Sequence, residues 1–284
     1  MSRKERTTLR KNSRKRNRKK RRLHAGAFFA IVICILLAAA VCYSYPSIPR
    51  ATGYTGLEYP VSYSSQPEQI IVHAGYVVSY NKNRKIPNWV SYELTIDETM
   101  GKEKRYGKFM SDPLVKEGAV TTADYRNSGY DKGHMASAAD MKWSNAAMKE
   151  SFYLSNICPQ HPKLNQRRWK DLENKVREWA IADSAVIVIC GPVVNESPQC
   201  IGGNNVVVPH GFFKVILSLR KKQPEAIGFI FHNEHCVQPL RSYIVSIDSV
   251  ETVTRLDFFS PLPDETEDRI EAYVDTAYWG LSTL

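Results

Sequence analysis

Residues 25–43, AGAFFAIVICILLAAAVCY, carry no charge, and only Gly26 falls outside the apolar set. At about 1.5 Å per residue the run makes a helix close to the roughly 30 Å hydrocarbon thickness of a bilayer. It divides the chain into a basic cytoplasmic tail (1–24), a transmembrane helix (25–43), a linker (44–68) and one large domain (69–284). Thirteen Lys or Arg precede the run and only Arg50 follows it closely. The positive-inside rule then keeps the N-terminus cytoplasmic and sends the domain to the exported side, periplasmic or extracellular in a bacterium. Ala38-Ala39-Ala40 could precede a signal-peptide cleavage site, although a charged leader of 24 residues is long for one. An Arg-rich, acid-poor mitochondrial presequence also fits the first residues. The basic run suits anionic lipid or nucleic acid as well, but a topology signal accounts for it without a second function.

The tail also explains the overall charge. Of 39 basic and 29 acidic residues, the first 24 positions hold 13 and one, leaving 26 against 28, or −2, for the other 260. The net +10 therefore does not make the domain a basic nucleic-acid binder. Any nucleic acid must be held by a local positive cluster or through a metal ion.

Pro46, Pro49, Pro60 and Pro67, with Gly53 and Gly56, mark 44–68 as irregular. Beyond it, 70–72 and 76–80 read as strands split by Gly75, and 89–95 alternates as another. The run 185–190 (AVIVIC) suits a buried strand stopped by Gly191-Pro192; 212–219, 227–231 and 243–247 are similar. A helix over 264–278 finishes the chain. Strands dominate, with helices inserted in the middle and at the end, which predicts an α+β fold. The clearest helix covers 164–183, where Trp169, Leu172, Val176, Trp179 and Ala180 recur at helical spacing. Asn165, Glu173 and Arg177 fall on one side of it, beside that apolar stripe.

Phosphodiester hydrolysis needs a base for water, a cation for the leaving oxygen and positive charge for the transition state. Residues 130–177 offer all three. His134, behind the glycine turn Asp131-Lys132-Gly133, can be the base, because imidazole titrates near neutrality. Asn165 presents a neutral hard oxygen suited to Mg²⁺, with Mn²⁺ as a substitute. Lys132 and Arg177 can offset phosphate charge.

At these residues the chain resembles the DNA/RNA non-specific endonucleases of the ββα-metal superfamily, on the endonuclease G side. The signature Asp-Arg-Gly-His reads DKGH at 131–134, Tyr-Leu-Ser-Asn-Ile-x-Pro-Gln reads YLSNICPQ at 153–160, and Leu-Asn-Gln-x-x-Trp-x-x-Leu-Glu reads LNQRRWKDLE at 164–173. The likeness continues more weakly through 190–194, 206–217 and 256–263. It implies a ββα-metal core within a mixed, mainly antiparallel sheet domain, DNA and RNA as substrates, and 5′-phosphate products. It also implies His134 as general base, Asn165 as the direct metal ligand and Glu173 as the group orienting metal-bound waters. Arg177 would stabilise the transition state or leaving group, and Asn156 would organise the site by hydrogen bonding. Arg105, in KEKRYGKF, is a candidate for an upstream phosphate-contacting arginine of the family. Lys132 stands where the family has arginine; it keeps the charge and loses the bidentate fork.

Ordinary structural roles compete with these. Asn165 could be a helix N-cap, Glu173 and Arg177 an exposed i,i+4 ion pair, and His134 a satisfied structural histidine. Asp131 reads as a loop support rather than a metal ligand. His232, His235 and Cys236 lack the further ligands of a zinc site. Cys158, Cys190, Cys200 and Cys236 allow three full pairings after export. A different class of function, a nuclease-like module that binds nucleic acid or a partner at the membrane without cutting, is compatible with Lys132 and the −2 domain charge. A homodimer is neither required nor forbidden, and nothing in the sequence points to an inhibitor protein.

Overall fold

The computed structural model of the chain describes residues 56–219 and 223–282. The basic tail and the expected transmembrane helix at 25–43 lie outside the described residues. Among the described residues no helix is long and apolar enough to cross a membrane.

Strands β1 (Val61–Ser62), β2 (Gln69–Val72), β3 (Val77–Asn81) and β4 (Ile86–Thr95) open the fold. β5 (Asp131–His134) and β6 (Ile157–Gln160) follow as a separate antiparallel pair. Then come β7 (Ala185–Val193), β8 (Cys200–Ile201), β9 (Val206–Val207), β10 (Gly211–Ser218), β11 (Glu225–His232), β12 (Ile244–Val245) and β13 (Leu256–Asp257). Among the described residues the main sheet has seven strands in the order β12-β11-β10-β7-β4-β3-β2. Every neighbouring pair in it is antiparallel. Helices α1 (Asn145–Glu150), α2 (Lys170–Asp183), α3 (Ile247–Thr254) and α4 (Asp264–Ala272) complete the expected α+β arrangement.

The apolar runs are continuous because the sheet is covered on both faces. Val186, Val188 and Cys190 of β7, with Phe212 and Ile216 of β10, join one core with Trp169, Leu172, Val176 and Trp179. Ile187, Ile189, Phe213, Val215 and Leu217 alternate into a second core with Ile247, Val250 and Ile270. Lys214 occupies a position on the first face and is fully buried, its Nζ 4.4 Å from the Trp169 ring centroid.

Three boundaries differ from the sequence reading. Gly191-Pro192 does not stop β7, which continues to Val193. Its ladder with β4 ends at Val90↔Cys190, so beyond that point it pairs with β10 alone and a missing N–H is tolerated. The linker reading of 44–68 fails over its last part: Leu57 and Glu58 are buried, the Ser91 hydroxyl donates to the Glu58 carbonyl (2.5 Å), and β1 pairs with β13. Within its described part, Gly56 starts a turn that carries Leu57 into the second core, and two-residue strands leave no periodicity to read. The last helix ends at Ala272 rather than 278, because Asp275 accepts from the Ala277 and Tyr278 amides and starts a turn of its own. That turn carries Trp279 back onto α2, where the Trp179 Nε1 donates to the Trp279 carbonyl (3.0 Å).

Candidate active site

The hairpin β5/β6 and the helix that follows it form one unit. Gly133 faces Cys158 across the pair, and a Cβ there would lie 2.6 Å from the Gln160 Cβ, so a side chain at this position would push the hairpin strands apart. The helix opens with a π-helical stretch, Leu164–Trp169, before α2. Trp169 anchors helix to hairpin: its indole N–H donates to the His134 carbonyl (3.1 Å).

The two elements enclose a cleft of about 570 Å³. Six of the seven residues singled out from sequence line it: Arg105, Lys132, His134, Asn165, Glu173 and Arg177. Asn156 does not. It is wholly buried behind the cleft, where its amide donates to the carbonyls of Ala136 (2.9 Å) and Ser151 (2.8 Å) and its oxygen accepts from the Ala136 amide (2.8 Å). It is a positioning residue that fixes the backbone leaving His134. Asn156→Ala would strand three buried backbone groups and is expected to destabilise the fold by about 2–5 kcal/mol, measured by denaturant unfolding; an unchanged midpoint would contradict this role.

His134 is 8% exposed, with its ring 5.2 Å from that of Phe109 and 5.0 Å from that of Phe152. Burial, assisted by the Arg105 charge, pushes its pKa down to about 3, so the imidazole is neutral at ordinary pH. Its Nε2 has no hydrogen-bond partner among the described residues. A satisfied structural histidine would have one.

Asn165 lies inside the helix, its amide donating to the His161 carbonyl (3.0 Å), so the N-cap reading does not hold. Its side-chain NH₂ donates to Asp131 Oδ2 (2.9 Å), which also accepts from Gln166 (2.9 Å). Asp131 thereby turns the Asn165 carbonyl oxygen away from itself. This supporting role matches the expectation for Asp131 and supplies what a hard cation needs, an oriented neutral oxygen.

Glu173 and Arg177 are not a simple exposed pair. The Arg177 guanidinium donates to Asp140 Oδ1 and to Asn174 Oδ1, both at 2.5 Å, and the Tyr92 hydroxyl donates to the other Asp140 oxygen (2.8 Å). Asp140 is fully buried; burial works against the Arg177 charge, but the charge and hydrogen bond of Asp140, with the Glu173 and Tyr92 contributions, together raise the Arg177 pKa. Burial pushes the Glu173 carboxyl up to about 7, with Lys214 and Arg177 opposing and Asp140 adding to the shift. Sequence reasoning missed Asp140, Tyr92 and Lys214. The first lies six residues after His134 in a small-residue stretch, and the others are strand residues that only the sheet brings beneath the helix.

Lys132 sits with its Nζ 5.4 Å from the ring centroids of both Phe109 and Tyr125. Two aromatic faces hold a compact ammonium at the cleft wall, a seat that needs no planar fork. Arg105 lies over the Phe152 ring at 5.0 Å, on the exposed segment before Phe109. Cys158, Cys190 and Cys236 are buried free thiols and Cys200 an exposed one, so none of the pairings open to them forms here.

Comparison with known proteins gives this geometry a family. Residues 55–265 match the DNA/RNA non-specific endonuclease family. Endonuclease G, mitochondrial, from Bos taurus is 34% identical over 239 residues, covering 78% of this chain and 80% of the relative. The Homo sapiens protein of the same name is 36% identical, covering 67% and 69%. Nuclease EXOG, mitochondrial, from Homo sapiens is 34% identical, covering 72% and 60%. A crystal structure of an EndoG/EndoGI complex, described as showing the mechanism of EndoG inhibition, contains a chain of TM-score 0.67 and 29% identity, with 70% of this chain and 89% of that chain covered. The chain belongs to the DNA/RNA non-specific endonuclease family, in its endonuclease G branch.

Proposed function

We propose that the protein hydrolyses phosphodiester bonds in DNA and RNA with little sequence selectivity, using His134 as general base and a Mg²⁺ ion held through Asn165, with Mn²⁺ as a substitute. The observation that carries this reading is the neutral, unpartnered imidazole lining the same cleft as an asparagine whose amide end is already tied to Asp131. A bound divalent cation would supply charge stabilisation to the leaving oxygen and the phosphorus centre. The His134 imidazole would accept the proton of the attacking water. Glu173, half-buried and lining the same cleft as Asn165, would orient waters once ionised. Arg177, held by Asp140, would meet the growing phosphate charge without reorganising. Lys132 and Arg105 would bind neighbouring phosphates, contacts that carry no base information.

The purified chain should convert supercoiled plasmid and degrade a folded RNA with Mg²⁺, and do neither in excess chelator. Binding of both polymers without cleavage would instead establish a non-cutting module. The geometry favours the enzyme, because a site that only binds has no use for an unpaired buried base.

The single-pass tether with a cytoplasmic N-terminus is supported by the sequence of residues 1–43 alone. The relatives named mitochondrial support an import signal instead. Alkaline carbonate extraction of cells separates the two: a tethered protein stays in the membrane pellet, and a processed one is released.

A further inference from the structure

On the sheet face opposite α2, five carboxylates gather where α3, β13 and α4 meet. Asp248, Glu251 and Glu271 have side-chain oxygens all within 4.8 Å of one another, and so do Asp257, Glu267 and Glu271. Glu271 is common to both groups. It is 8% exposed, and its Oε1 has no hydrogen-bond partner among the described residues. Ion pairs to Lys or Arg among the described residues involve other acids, Glu117, Asp171, Glu178, Asp140 and Glu225. Arg269, the base on α4 itself, is turned away to Glu225 and the Pro224 carbonyl.

A buried carboxylate among four others, with no ion-pair partner among the described residues, is a costly arrangement for a stable fold. Burial, then repulsion from Glu251, Glu267, Asp257 and Asp248, pushes the Glu271 carboxyl up to about 9. The flanking acids are nevertheless held in place: Glu251 Oε1 accepts from the Phe258 amide (2.8 Å), and Asp257 Oδ2 accepts from the Tyr63 hydroxyl (2.7 Å). We propose that these carboxylates form a divalent-cation site of calcium type, centred on Glu271 and separate from the nuclease cleft. Calcium takes six to eight oxygens at about 2.3–2.6 Å in loose geometry, so oxygens on opposite sides of one ion lie about 4.8 Å apart. Magnesium demands a stricter octahedron and keeps more of its water. The ion would clamp α3 to α4 and, through Asp257 on β13, secure the β1/β13 pair. The inference does not rest on the reading of the cleft.

Thermal unfolding of the full chain, stripped with chelator and then titrated with CaCl₂, tests this. Saturating calcium should raise Tm by on the order of 5 °C. The shift should persist in Asn165→Ala, which alters the cleft, and vanish in Glu271→Gln. Calorimetric titration should count one fewer Ca²⁺ in Glu271→Gln than in the parent, while its Mg²⁺-dependent plasmid cleavage is unchanged. If Glu271→Gln does not fold, Asp248→Asn combined with Glu267→Gln, at more exposed positions, must weaken calcium binding at least tenfold. A parent Tm blind to calcium, as expected if the acids share protons instead, overturns the proposal. So does a shift that survives in the variants.

Discussion

His134→Ala is expected to lower plasmid turnover at least about 10²-fold, the usual worth of a positioned general base, with DNA binding nearly unchanged. The separation is expected because phosphate contact falls to Lys132, Arg105 and Arg177, which the substitution leaves in place on other parts of the cleft wall. The strand should also survive: the Trp169 indole holds the His134 carbonyl, not its side chain. Some stability will be lost from the pocket against Phe109 and Phe152, so Tm must be recorded beside activity. Cleavage comparable to the parent, in a variant that remains folded, would remove His134 from the reaction.

The same residue has a pH signature. With its pKa pushed down to about 3, His134 stays in the proton-accepting form far below the usual imidazole range. The acid limb of kcat/KM should therefore belong to Glu173, whose carboxyl burial lifts to about 7 and which must ionise to orient water. Activity should fall as pH drops through that region. Because a cation favours the carboxylate form, more Mg²⁺ should move the limb to lower pH. A limb that ignores Mg²⁺ and persists in Glu173→Gln would assign it elsewhere.

Motif-borne residues were legible in the sequence because the chemistry clusters on two contiguous elements. DKGH becomes β5, LNQRRW the first turns of the site helix, and Glu173 and Arg177 follow at helical spacing. Local pattern also exposed the apolar strands, since side-chain alternation is a short-range property. What stayed hidden depends on long-range pairing. Asp140 reads as one acid in SAAD, and only the fold shows Tyr92 from β4 meeting it opposite Arg177. Lys214 interrupts an apolar run, and nothing local indicates that Trp169, 45 residues earlier, covers its ammonium group. Leu57 was misread for a related reason. Prolines and glycines indicate where a chain turns, but not whether the turn is pressed against a core.

The metal assignment makes the second large prediction, because Asn165 and Asp131 are given different jobs. If the Asn165 oxygen binds the cation, Asn165→Ala should raise the Mg²⁺ concentration for half-maximal cleavage by about 10²-fold or more, with excess Mg²⁺ restoring part of the rate. Asp131 acts one step further out, holding the Asn165 amide and Gln166. Loss of such an orienting group costs about 10–100-fold in metal affinity, so Asp131→Ala should shift the Mg²⁺ curve less. Asp131→Asn, whose carbonyl oxygen can still accept from Asn165, should shift it least. The order of the three curves is diagnostic. Were Asp131 itself the ligand, removing its charge would be the most damaging change, and Asp131→Asn would resemble Asp131→Ala. An Asn165→Ala curve superimposable on the parent would mean that the cation is held elsewhere, and the oriented amide beside His134 would need another explanation.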